Sequence, residues 1–299
     1  MAPTSPLTST HQPLFTAKGR DIARGGRALL MGIVNVTADS FYDGGRYLEP
    51  ERAIAHALEL VAQGADLLDI GAESTKPGAI PVEENEEWQR VVPVIEGLAR
   101  RVAVPISVDT MKAGVAQRAL DAGASIVNDV SALRFDPDMA GVVARSGAGL
   151  ILMHMQGTPQ TMQQAPYYGD VVAEVTEFLG ERLDVAQEAG IAKSQIVLDP
   201  GIGFGKLLVH NLALLNGLRT LAMLDRPLLV GPSRKAFIGQ LVNRPVEDRA
   251  WGTAAAVAIA VERGVDIVRV HDVQTMMDVV TVASAVRSAQ SPVKQERYA

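Results

Sequence analysis

The sequence predicts a single-domain α/β protein folded as a (β/α)8 TIM barrel. Three observations predict it. Eight short apolar runs rich in Ile, Val and Leu are spaced along the chain, amphipathic segments separate most of them, and polar residues follow the runs on their C-terminal side. Continuous apolar runs suit parallel strands buried on both faces, and strand–helix alternation repeated eight times closes a barrel. The competing architecture, a doubly wound open sheet, usually carries a Gly-rich dinucleotide turn after its first strand, and none follows the first run here.

The first run, residues 29–34, ends in Asn35, and the segment 51–63 behind it places Ile54, Leu58 and Val61 on one helical face. The second, 67–70, leads into Glu73, Ser74 and Thr75. The third, fourth, fifth and sixth (106–108, 126–127, 150–153 and 196–198) end in Asp109, Asn128, His154 and Asp199. The seventh, 228–230, is followed by Ser233, Arg234 and Lys235. The eighth, 267–270, contains Arg269, with His271 two residues on and therefore on the same side. Gly64, Gly123, Gly147, Gly190 and Gly264 close amphipathic segments just before a run, which suits helix C-caps. The barrel is expected over 28–288, with a partly disordered N-terminal tail at 1–27 and a C-terminal tail at 289–299.

Composition narrows the function. The 299 residues are 47% hydrophobic and 21% charged, enough for one large buried core. There is no cysteine, which excludes disulfides, thiolate catalysis and Cys-ligated metals. A net charge of -6 argues against a nucleic-acid partner and for small-molecule substrates. No stretch approaches 18 apolar residues, and the Pro/Ser/Thr-rich start lacks the pattern of a signal peptide, so a cytoplasmic protein is expected.

Barrel enzymes carry their chemistry on the loops after the strands. A single Asn or Asp there can be a local cap, but convergence on one rim points to a site. Asp109 and Asp199 beside Asn128 form a row of acceptors and donors suited to a flat, nitrogen-rich ring. Arg269, His271 and Asn35 have the opposite preference, for an anion such as phosphate or pyrophosphate, unless Arg269 simply pairs with a barrel carboxylate. No spacing suggests a protein-built metal cage, so a metal would be Mg²⁺ held by substrate phosphates with an Asn35 oxygen. His56 and His210 read as surface or packing residues, and His154 faces either into or away from the mouth. Lys235 reads as a phosphate ligand, a Schiff-base nucleophile or an exposed lysine. The segment 201–206, Gly-Ile-Gly-Phe-Gly-Lys, lacks Walker spacing and reads as a close-approach loop with Phe204 as a stacking surface.

These residues lie in segments that together are specific: 31–45 (MGIVNVTADSFYDGG), 69–78 (DIGAESTKPG), 107–110 (SVDT), 127–130 (VNDV), 153–157 (MHMQG), 199–206 (DPGIGFGK), 231–239 (GPSRKAFIG) and 269–273 (RVHDV). In this order they make the chain resemble the dihydropteroate synthase family of pterin-binding barrels. The resemblance implies condensation of 4-aminobenzoate with 6-hydroxymethyl-7,8-dihydropterin pyrophosphate through a pterin-methylene cation. It implies that Asp109, Asn128, Asp199, Lys235 and Met153 hold the pterin. Asn35, Thr75, Arg269 and His271 would hold pyrophosphate with Mg²⁺, and Thr75, Lys76, Pro77, Phe204 and Ser233 would lie near the aminobenzoate. It further implies that Asp109, Lys235, Asn35, Arg269 and His271 would carry the catalytic roles, that the loops at 37–45 and 74–78 would close over the site, and that the protein would be a homodimer.

Three positions depart from the family's common pattern. Ala38 stands where proline usually follows Asn-Val-Thr, Lys76 replaces an arginine, and Ala236 stands where serine often follows the lysine. Each touches a loop, so altered sensitivity to sulfonamides, mimics of aminobenzoate, is an expectation; equal inhibition of this protein and its Ala236→Ser variant would count against it. The alternatives are a pterin-dependent methyltransferase, which should lack the Ser-Arg-Lys and Arg-Val-His-Asp segments, a Schiff-base aldolase on Lys235, and a silent pterin-binding paralogue, expected to have lost Arg269, His271 or Lys235.

Overall fold

Burial on two sides forces the strands to be apolar on both faces, and the structure shows what lies on each side. A computed structural model describes residues 13–36 and 48–289. The chain opens with a hairpin of β1 (Phe15–Ala17) and β2 (Arg20–Ile22). The barrel follows as β3 (Leu29–Asn35), α1 (Leu48–Ala62), β4 (Leu67–Gly71), α2 (Glu84–Ala99), β5 (Ile106–Asp109), α3 (Ala113–Ala122), β6 (Ile126–Asp129), α4 (Met139–Ser146) and β7 (Gly149–Met153). It continues with α5 (Val171–Glu188), β8 (Ile196–Asp199), α6 (Leu208–Asn216), α7 (Leu218–Leu221), β9 (Leu229–Val230), α8 (Ala236–Val242), α9 (Ala250–Glu262), β10 (Ile267–Val270) and α10 (Val273–Ser288). All eight runs are strands within two residues of their expected bounds.

The eight strands pair in parallel in the order β8-β7-β6-β5-β4-β3-β10-β9. A bridge between Leu198 and Leu228 brings the two edges together, so the sheet is a closed (β/α)8 barrel of one domain. The five predicted cap glycines all adopt positive φ. Among the described residues no helix is long and apolar enough to cross a membrane.

Alternation along each strand divides the apolar residues between two cores. Leu30 and Val34 of β3 turn outward with Leu68, Ile70, Val108 and Val127 to meet the helices. Leu29 and Met31 turn inward with Leu67, Ile126, Ile151, Val197, Leu229 and Ile267 to fill the barrel. Phe15, Ala17 and Ile22 of the hairpin join this inner cluster and close the N-terminal end of the barrel. The hairpin lies within residues 1–27, where the sequence predicts only a partly disordered tail.

Candidate active site

Above the apolar plug the same inward phase becomes polar. The register sets Asp69 beside Ser107, Asp109 beside Asn128 and Met153 beside Asp199. Side chains at paired positions of parallel strands face the same side, so these residues share the interior with Arg269, two residues beyond the inward Ile267. One acidic and amide-rich layer therefore lies between the plug and the C-terminal mouth.

Arg269 ties that layer together. Its Nε donates to Asp69 Oδ2 at 2.6 Å and its Nη2 donates to Asp109 Oδ2 at 2.9 Å. Asp69 Oδ2 also accepts Asn128 Nδ2 at 3.0 Å. The pairing with barrel carboxylates that sequence left as an alternative is thus present, while Arg269 stays partly open to the mouth. Asp109 Oδ1 is buried and has no hydrogen-bond partner among the described residues. An acceptor left so costs about 1–3 kcal/mol, which a ligand donor would recover. Burial, above all, pushes the Asp109 carboxyl up to about 7; Arg269 opposes this, and Asp69, Glu87 and Asp129 add to it. Asp199 is also raised by burial, against the pull of Lys235, and its Oδ1 accepts the Gly201 amide at 2.7 Å.

The loop after β8 builds one wall. Lys235 Nζ donates to the carbonyl of Ile202 and lies over the Phe204 ring, 4.6 Å from its centroid. Burial lowers the Lys235 ammonium to about 8, with Asp199 and Asp109 opposing and Arg269 assisting. Phe204 packs on Met111, Val130, Met153, Met155 and Met162, an apolar and polarisable surface beside the polar layer. The predicted close-approach loop is therefore a site wall, and of the readings for Lys235 the exposed one is ruled out by its contacts.

At the anion end, Ser233 Oγ accepts the His271 amide at 3.2 Å and bonds His271 Nδ1 at 2.9 Å. A Ser233 hydroxyl that gives its proton to Nδ1 leaves the ring proton of His271 on Nε2. Burial first, then Arg269, Arg234 and Lys76, lower His271 to about 4. At neutral pH it is an uncharged donor. Arg234, in left-handed backbone at φ 56°, pairs with Asp272 and ties the Ser233 loop to the end of β10. Asn35 ends β3 exposed at the rim.

The loop after β4 holds Thr75 half-buried and Lys76 and Pro77 exposed. Gly78 donates to Pro159 O at 3.0 Å and Gln160 Nε2 to Ala79 O at 3.1 Å, so this loop docks on the one after β7. Its base is held by Lys112, which pairs with Glu73 and with buried Glu87. The other expected closing loop, 37–45, with Ala38, lies outside the described residues.

Geometry gathers Asp109, Asn128, Asp199, Lys235, Met153, Phe204, Arg269, His271 and Ser233 around one mouth. His154 turns away from it. Its ring meets Phe178 of α5 edge-on at 4.8 Å, Lys206 Nζ approaches its Nδ1 at 2.8 Å, and burial lowers it to about 2. His56 is exposed, and His210 packs edge-on against Tyr168. Sequence reasoning missed Asp69, whose signal was a carboxylate inside an otherwise apolar run.

The pterin binding enzyme family matches residues 31–271 of the chain. The chain is 47% identical over 262 residues to the dihydropteroate synthase of a Synechocystis species, covering 87% of this chain and 91% of that one. It is similar to the solved structure of Xanthomonas albilineans dihydropteroate synthase with 4-aminobenzoic acid, with a TM-score of 0.86 and 48% identity over 92% of this chain and 98% of that one. A second structure of the Xanthomonas albilineans enzyme, in complex with 7,8-dihydropteroate, matches with a TM-score of 0.83 at 45% identity, over 92% and 99% of the two chains.

Proposed function

The chain belongs to the pterin binding enzyme family, and from that premise we propose how its residues divide the work of a dihydropteroate synthase of folate biosynthesis. The enzyme transfers a pterin methylene group to an aromatic amine. The observation that carries the assignment of roles is Asp109 Oδ1, a buried acceptor without a partner among the described residues, beside Asn128. Asp109 on β5, Asn128 on β6 and Asp199 on β8 line one polar layer whose acceptors suit the N–H-rich edge of a pterin, which a bidentate contact to one carboxylate holds in one orientation. Met153 and Phe204 supply the face on which the ring lies, and Lys235 takes its far edge.

Held this way, the pterin directs its methylene pyrophosphate toward Arg269, His271, Thr75 and Asn35. The C–O bond breaks with its electron pair going to pyrophosphate. Arg269 supplies positive charge to the departing oxygens, and His271 Nε2–H donates a hydrogen bond while staying neutral. Asp109, beside the pterin, stabilises the methylene cation left behind. The amine lone pair of 4-aminobenzoate closes on that carbon and its proton leaves to solvent, giving dihydropteroate. Thr75, Lys76, Pro77 and Ser233 flank the place from which the amine approaches, with loop closure excluding water.

Among the described residues no group of three or more His, Cys, Asp or Glu is placed to hold a metal ion. An exposed amide oxygen on Asn35 with phosphate oxygens from substrate fits Mg²⁺, which dehydrates reluctantly and keeps few protein ligands. When bound, Mg²⁺ neutralises charge on the leaving group. A homodimer is supported by the apolar groove of α9 and α10, where Ile259, Val282 and Val286 are exposed beside Ala258 and Val279. Sedimentation at micromolar concentration should give a dimer that Val282→Glu weakens; a monomeric unaltered protein would contradict it.

Incubation with the pterin pyrophosphate, 4-aminobenzoate and Mg²⁺ tests the activity. Equimolar 7,8-dihydropteroate and pyrophosphate are expected, with at least a hundredfold loss of kcat in Asp109→Asn; undiminished turnover in that variant would remove Asp109 from its role.

A further inference from the structure

We propose that Asp69 is a positioning residue that sets the donor–acceptor polarity of the pterin floor by locking the Asn128 amide with its nitrogen inward. The inference rests on the pterin reading above and adds to it a residue that touches no substrate. Asp69 lies wholly buried in β4, in the same polar layer as Asn128 two strands away, with Ser107 its register partner on the strand between. Its Oδ2 faces the Asn128 side chain at 3.0 Å while accepting Arg269 Nε at 2.6 Å. An oxygen in that position can only receive, so the face of the amide turned to it must be the NH2. The other atom of the amide, Asn128 Oδ1, is then turned away from Asp69 and is the one offered to a ligand.

The consequence is chemical. An unanchored asparagine can present either its carbonyl or its NH2, and so would accept a ring edge of either polarity. Anchored by Asp69, Asn128 presents an acceptor in line with Asp109 and Asp199, and the floor as a whole asks its ligand for donors. The same oxygen fixes the plane of Arg269, leaving Nη2 for Asp109. One buried atom therefore joins the element that selects the ring to the element that receives the leaving group. What the role requires of Asp69 is an acceptor at Oδ2, and asparagine can supply that in the same place.

This separates positioning from simple charge balance. Calorimetry with 6-hydroxymethylpterin on the full chain should show Asp69→Leu weakened at least tenfold and Asp69→Asn within about threefold of the unaltered protein. Equal weakening of both variants, or none in Asp69→Leu, would overturn the inference while leaving the pterin reading intact. No binding by the unaltered protein would overturn both. A second measurement needs no variant: the side-chain amide protons of Asn128, followed by NMR in ligand-free protein, should exchange slowly with solvent. Protection that appears only after pterin is added would also overturn the inference.

Discussion

Asp109 and Lys235 both sit where burial moves them toward neutrality from opposite directions. Asp109 is raised to about 7 by burial, against Arg269 and with Asp69, Glu87 and Asp129 adding to the rise. Lys235 is lowered to about 8 by burial, with Asp199 and Asp109 facing it as anions and Arg269 as a cation. The carboxylate is lost as pH falls through the first value and the ammonium as pH rises through the second. A narrow bell is therefore expected in kcat/KM, which reports the free enzyme. Lys235→Arg, which stays charged throughout, should keep the acidic limb and lose the basic one; an unchanged basic limb would assign it to another group. His271 lies outside this window because it is already neutral at pH 5 and above. Asp109, Asn128 and Asp199 were legible in the sequence because each ends an apolar run. Asp69 was not, since it sits inside one, and only the inward phase shared with Leu67 shows that it faces the barrel axis. His154 ends a run as they do, yet it belongs to the outer layer, and its direction depends on register rather than on residue type.

At the level of elements, the loop after β8 is the most constrained part of the site. Gly201 has φ +66°, and a Cβ there would lie 1.9 Å from the carbonyl oxygen of His154. No side-chain rotation relieves a clash with backbone, so Gly201→Ala must shift the loop and with it the amide bonded to Asp199. A loss of about 3 kcal/mol or more is expected from strain of this kind, together with weakened pterin binding. Urea unfolding beside calorimetry measures both, and a variant within about 1 kcal/mol of the unaltered protein, well below that range, would contradict the geometry. The strands and their loops were legible because burial on both faces makes a run continuous and a strand end polar. The β1–β2 hairpin was not: three-residue strands carry too little pattern, and Phe15 and Ile22 gain meaning only from the barrel end they cover.

For the whole molecule, stability and chemistry occupy opposite ends of one barrel. The hairpin and the inner apolar cluster fill the N-terminal end, and the polar layer lies toward the C-terminal mouth. Phe15→Ala should accordingly cost about 3–5 kcal/mol, as buried aromatic truncations do, while KM for either substrate stays the same. A change in KM with stability preserved would show that the two ends are coupled. The central claim is that the mouth joins two substrates and releases pyrophosphate only as it does so. Sustained pyrophosphate release from the pterin substrate with Mg²⁺, followed over many turnovers with and without 4-aminobenzoate, tests it most directly. Release should depend on 4-aminobenzoate and match the dihydropteroate formed mole for mole. Continued release at the same rate without 4-aminobenzoate would contradict it.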